Sequence, residues 1–222
     1  MPETRISNRL KTLHSVLSIP TDVTSNAPIR VLHLSFANFL LDPDREHDFW
    51  IEEKTMHLRL AQRCLEVLCT PGTLRQDICD LRHPGYLRED IKPSHIQATI
   101  PLEVQYACKY WVHHAQKSGA QAPDLAHRIH AFLSQHLLHW SEAMSILGKT
   151  SELLHLVGIL SDLFNQDSTL VALIYDIRRF LSTYIHIINI APLQIYISCV
   201  MFAPKRSLVK DNLHGLKRCQ RY

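Results

Sequence analysis

Fifteen histidines and six cysteines in a chain of 222 residues provide many side chains able to bind metal or attack an electrophile. What matters is whether spacing gathers any of them. His127 with His130 and His136 with His139 stand three apart, and on a helix such residues share a face. Each pair could therefore offer two imidazole nitrogens to a transition metal. A zinc site needs three or four ligands. No Glu completes a His-Glu-x-x-His pattern, no third ligand falls at a useful spacing, and the neighbours His113 and His114 cannot both face one site. These histidines read as structural or surface residues, and no metal is expected.

Gly148-Lys149-Thr150 imitates the end of a phosphate-binding loop, in which backbone N–H groups cradle phosphate and the lysine reaches its terminal oxygens. The imitation fails twice. Ala143 stands where the loop needs its first glycine, and Trp140 to Leu147 reads as helix where a strand should lead in. The triplet reads as a helix-ending turn. No Gly-x-Ser-x-Gly elbow and no Cys and His signature supports a nucleophile. Cys64, Cys69, Cys79, Cys108, Cys199 and Cys219 include no Cys-x-x-Cys pair, and the N-terminus lacks the apolar core of a secretory signal. The expectation is a cytoplasmic protein with reduced thiols, no catalytic residue and no cofactor of its own.

The elements that would position any site are helical. With 46% hydrophobic and 20% charged residues and only 6 Gly, the composition is that of a folded chain leaning towards helix. Net charge is +3, and from Lys205 onward six Lys or Arg face one Asp, which leaves 18 positive against 20 negative residues elsewhere. No nucleic-acid partner is indicated by that balance. Ile6, Leu10, Leu13 and Leu17 predict a helix over 3–18, stopped by Pro20 and followed by a polar linker, 21–28. Ile29 to Leu34 predicts a short strand, with Ser35 placed to cap a helix over Phe36, Phe39 and Leu40.

Beyond these, Met56, Leu60, Cys64, Leu65 and Leu68 form the stripe of a helix over 52–69, ended by Pro71-Gly72. The stretch from Gly72 to Pro101 should be irregular with one helical turn. Pro101 opens a helix burying Val104, Ala107, Cys108 and Trp111, and Pro123 opens another over Leu125, Ile129, Phe132 and Leu133 that continues to Leu147. Leu153, Leu156, Val157, Leu160 and Leu163 mark the next, and Asp167 or Ser168 can cap a last one through Ile174, Ile177 and Phe180. Tyr184 to Phe202 carries no Asp, Glu, Lys or Arg over 19 residues, close to a bilayer span. His186, Asn189, Pro192 and Gln194 interrupt it, so it reads as two shorter buried helices, with a membrane anchor the lesser alternative.

Several phrases resemble a known family. They are His33-Leu34-Ser35-Phe36 with Phe39-Leu40-Leu41-Asp42-Pro43; Ile100-Pro101-Leu102-Glu103-Val104-Gln105-Tyr106-Ala107-Cys108-Lys109-Tyr110-Trp111-Val112; Phe132-Leu133 with His136-Leu137-Leu138-His139-Trp140; and Ala191-Pro192-Leu193-Gln194-Ile195-Tyr196. In this order they resemble fungal NACHT and WD40 proteins of the vegetative, or heterokaryon, incompatibility type, within the STAND class of signalling NTPases. The resemblance implies a mainly α fold: residues 1–42 as the C-terminal remnant of a winged-helix-like domain, 43–204 as a helical linker domain, and 205–222 as a basic tail, poorly ordered or a short helix. It implies as partners the NTPase core and the WD40 propeller of a complete or related protein. Neither a P-loop nor a WD40 blade pattern is present in the chain, so ATP or ADP would be bound only in a complete family protein. It also implies that His33 contacts the nucleotide phosphate, as the histidine of the His-x-Ser/Thr-Phe phrase does in that class. A stand-alone interaction protein docking on full-length relatives is the alternative expectation.

Overall fold

Apolar residues recur every three to four positions along most of the chain, and in the computed structural model nearly all of those stripes are helices. The structure describes residues 13, 15–19, 29–42, 44, 50–119, 123–164 and 168–210. The fold is mainly α, with one small two-stranded antiparallel sheet near the N-terminus. The chain divides into two units, 1–53 and 54–222.

In the first unit, strand β1 (Leu17–Ser18) pairs with β2 (Arg30–Val31), Leu17 opposite Val31 and Ser18 opposite Arg30. Leu32 N–H donates to Val16 O at 2.9 Å and extends the ladder. The helix expected over 3–18 is thus corrected at its end: Leu17 belongs to a strand, because a partner strand satisfies its backbone. The rest of that helix up to residue 12, and the linker 21–28, lie outside the described residues. Helix α1 (Leu34–Leu41) begins two residues before the expected point, with His33 as N-cap in place of Ser35. Six of its eight residues are apolar, yet none is buried.

The second unit holds the core. Helix α2 (Glu53–Cys69) buries Ala61, Cys64, Leu65 and Leu68, whereas Met56 and Leu60, expected inside, are 39% and 38% exposed. The irregular stretch after it carries a 3₁₀ turn (Arg88–Asp90) and α3 (Pro93–Thr99), two turns of helix where one was expected. Helix α4 (Leu102–Ser118) has Pro101 as N-cap and buries the four residues foreseen for it. Helix α5 (Pro123–Ile146) is continuous through both predicted segments, followed by α6 (Thr150–Leu163) and α7 (Ser168–Ile190). Asp167, one of two expected caps for α7, lies outside the described residues.

Helix α6 packs on α7, and α4 packs on α5 and α6. A 3₁₀ segment (Pro192–Tyr196) packs on both α5 and α7 and leads into α8 (Ser198–Phe202). Tyr184 to Phe202 breaks at Pro192 as expected, but as the end of α7 followed by the 3₁₀ segment and a five-residue helix in place of two buried helices. Ile188, Leu193, Ile195 and Cys199 enter the core, while Met201 and Phe202 stay exposed. No helix among the described residues is long and apolar enough to cross a membrane. At the centre, Trp111, Phe132 and Trp140 meet edge to face, with ring centroids 5.3 to 6.1 Å apart.

Candidate functional site

His33 sits in extended backbone at the junction of β2 and α1, with φ −136° and ψ 133°. A helix start leaves backbone N–H groups without intrahelical acceptors. Here the imidazole supplies one: Ser35 N–H donates to His33 Nδ1 at 3.2 Å, and Ser35 Oγ lies 2.7 Å from the same nitrogen. Because Nδ1 accepts, the ring proton of the neutral imidazole is on Nε2. His33 is exposed, so its Nε2–H has the chemistry of a hydrogen-bond donor to an anionic oxygen. Leu32 and Leu34 on either side are 56% and 74% exposed.

Gly148-Lys149-Thr150 is a helix end. Gly148 has φ +71°, its N–H donates to Ser145 O at 2.9 Å, and Lys149 N–H donates to Met144 O at 2.8 Å. This pairing closes a helix on a left-handed glycine. Arg88 Nε donates to Ser145 O at 2.9 Å and so adds a cation to the same helix terminus. Lys149 Nζ pairs with Glu152 at 2.6 Å.

The histidine pairs diverge. His136 and His139 lie 5.8 Å apart between ring centroids, but their Nδ1 atoms are buried without a hydrogen-bond partner. Burial pushes His139 down to about 4 and lowers His136 as well. His113 lies towards His155 on α6 while His114 meets His57 on α2. Among the described residues, no three or more His, Cys, Asp or Glu side chains are grouped to hold a metal ion. Cys64, Cys69, Cys79, Cys108 and Cys199 are free thiols; Cys219 is outside the described residues. Burial pushes Cys64 and Cys199 up to about 11 and Cys108 to about 12, so they are poor nucleophiles near neutrality.

Two carboxylates that sequence reasoning passed over organise the polar interior. Glu142 on α5 is fully buried. Its Oε1 accepts from Ile78 N–H at 2.9 Å, and its Oε2 accepts from Asp77 N–H at 3.1 Å and Tyr196 O–H at 2.5 Å. It thereby fastens both the 75–82 loop and the 3₁₀ segment to α5. Desolvation raises it to about 7 against the lowering effect of those three donors. In the loop, Asp77, Asp80 and Arg82 all take positive φ. Asp77 stabilises that path by accepting from Leu81 and Arg82 N–H, and Arg75 forks onto Asp80 at 3.0 and 3.1 Å. Asp176 on α7 is the second: its Oδ2 accepts from Ser207 Oγ at 2.7 Å and Val209 N–H at 3.1 Å, pinning the start of the basic tail. Ser207 and Val209 are buried, and 208–210 is helical. A signal for Glu142 did exist, since it is the one Asp, Glu, Lys or Arg between Arg128 and Lys149.

Fold and polar groups together define a mainly α protein whose buried carboxylates fasten loops to helices, with a capped, exposed histidine in the small first unit. Over 147 residues the chain is 33% identical to the vegetative incompatibility protein HET-E-1 of Podospora anserina, a match covering 62% of this chain. The chain spans 11% of the length of that curated relative. The match supports the resemblance to fungal vegetative incompatibility proteins. No family model matches the sequence, and no solved structure matches it.

Proposed function

We propose that this chain is a non-catalytic regulatory segment of a STAND-type signalling protein, lying between an NTPase core and a WD40 propeller. In this reading residues 1–42 are the C-terminal remnant of a winged-helix-like domain, 43–204 form the helical linker that relays opening between core and sensor, and the protein acts in the cytoplasm. The observation that carries it, beside the partial match to HET-E-1, is helix α1, six of whose eight residues are apolar and whose Leu34 and Leu41 stand 74% and 42% exposed. A two-turn helix of that composition gains its stability from packing, not from propensity. The rest of a domain would cover it. His33 then presents Nε2–H to the phosphate of ATP or ADP held by that core, and its cap to Ser35 fixes the tautomer the contact needs.

Sequencing the full transcript tests the placement: P-loop and WD40 coding sequence on either side is expected, and a transcript with neither would overturn it. In the complete protein, His33→Ala should weaken retention of bound ADP without abolishing binding. Unchanged retention would remove His33 from the proposal while leaving the linker reading intact. The purified 222-residue chain should show no ATP turnover; turnover that survives both His33→Ala and Lys149→Ala would mean a catalytic site elsewhere. The same exposed Leu34 and Leu41 favour one second reading, a separate protein docking on full-length relatives. Co-precipitation with such a relative at micromolar concentration, from a transcript lacking flanking domains, would favour it.

A further inference from the structure

His57 on α2 and His114 on α4 bring their Nδ1 atoms to 2.8 Å, with the rings stacked at 5.0 Å and 28°. Tyr106, two turns earlier on α4, places its hydroxyl 2.8 Å from His114 Nε2. A nitrogen-to-nitrogen contact this short requires one ring to donate and the other to accept. Two proton placements satisfy the chain. Tyr106 O–H donates to His114 Nε2 and His114 Nδ1–H donates to His57; or His57 Nδ1–H donates to His114, whose Nε2–H donates to the tyrosine oxygen. One added proton can be shared across the pair. A second cannot, because both Nδ1 atoms would then carry hydrogens pointed at each other across 2.8 Å, on two like charges.

We infer that His57, His114 and Tyr106 form a proton-operated clasp that holds the first two turns of α2 on α4 and opens when both imidazoles are charged. The position gives the clasp leverage. Helix α2 contributes no fully buried residue before Ala61; Met56 and Leu60 are well exposed, and within 54–60 the half-buried Leu58 packs against the core, so the apolar hold on this stretch is small beside that of 61–68. This is also where the chain enters its second unit, which starts at Lys54.

On α4, Lys117 and His113 place positive charge near His114, and Tyr110 lies beside Tyr106. Cys64 on α2 faces Tyr106, and His155 on α6 stands against His113. Burial first, then His57, Lys117 and His113, lower the proton affinity of His114.

Hydrogen–deuterium exchange of the full chain at about pH 7.5 and about pH 5, each rate divided by its intrinsic rate, tests the clasp. Peptides covering 54–60 should lose protection by roughly tenfold on acidification while α5 and α6 keep theirs. His57→Gln and His114→Gln should abolish that pH dependence, since an amide keeps a hydrogen bond but never charges. No selective loss in the wild type, or the same loss in both variants, would overturn the inference. Should a variant fail to protect α5 and α6, the wild type alone decides through ¹⁵N resonances of the two rings. Two coupled titration steps, with one Nδ1 protonated at neutrality, are expected, and two independent steps would overturn the clasp.

Discussion

At the scale of single residues, the sharpest contrast is between two tryptophans equally removed from water. Trp140 Nε1–H donates to Cys108 O at 2.9 Å, whereas Trp111 Nε1 is buried with no acceptor. Both rings pack against Phe132 and each other, so replacement by phenylalanine removes similar volume from one cluster. The difference lies in the N–H. Trp111→Phe deletes a group whose burial was uncompensated, and Trp140→Phe deletes a hydrogen bond, so the second variant should be less stable by about 1–2 kcal/mol in urea unfolding. Equal costs would show that Trp111 Nε1 is satisfied by a buried water. Sequence placed Trp111 on an apolar stripe, but nothing in a one-dimensional pattern says which indole finds a carbonyl 32 residues away. Glu142 makes the same point: its isolation among neutral residues is visible in the sequence, while its donors at Asp77, Ile78 and Tyr196 come from distant segments.

Elements were the most legible level, because helical periodicity is local. The stripes opened by Pro101 and Pro123 and the one through Leu153 to Leu163 became α4, α5 and α6, with the foreseen residues inside except the half-buried Leu163. Where reading failed, a non-local partner or a neighbouring side chain decided. Leu17 fits a helical stripe but pairs with Val31, and the N-cap moved from Ser35 to His33 because an extended histidine can reach the N–H two residues on. The junction of α5 and α6 was read correctly as a turn, yet Arg88 was invisible to that reading. A Cβ on Gly148 would overlap the Arg88 guanidinium and would hold a left-handed φ. Gly148→Ala should therefore cost about 2–3 kcal/mol, combining the backbone strain with displacement of Arg88 from Ser145 O. In an Arg88→Ala background it should cost about 1 kcal/mol, leaving only the strain. Additive costs in this double-mutant cycle would mean that the arginine moves aside freely.

For the molecule as a whole, pH response includes two buried groups, Glu142 and His139, whose shifts oppose each other, with His136 and His114 lowered in the same sense as His139. Glu142 is raised from 4.5 to about 7, so the folded state holds its proton more tightly than the unfolded chain does. Its contribution to stability is complete below pH 4.5 and is lost as pH rises through about 7. His139 is lowered from 6.5 to about 4, so its contribution is complete above pH 6.5 and is lost as pH falls through about 4. Each shift corresponds to roughly 3 kcal/mol. Between pH 4.5 and 6.5 the proton the fold gains at Glu142 offsets the one it excludes at His139, so these two slopes oppose each other. Single replacements should unmask each slope. Relative to wild type, Glu142→Gln should gain roughly 3 kcal/mol as pH rises from about 4.5 to 7, because the penalty of ionising a buried carboxyl is gone. His139→Leu should gain a similar amount relative to wild type as pH falls from about 6.5 to 4, and it also removes an unpartnered Nδ1. Urea unfolding at four pH values across that window reads both differences. Curves parallel to wild type in either variant would mean that the buried group titrates in the folded protein as it does in the unfolded chain, and the compensation would be lost with it.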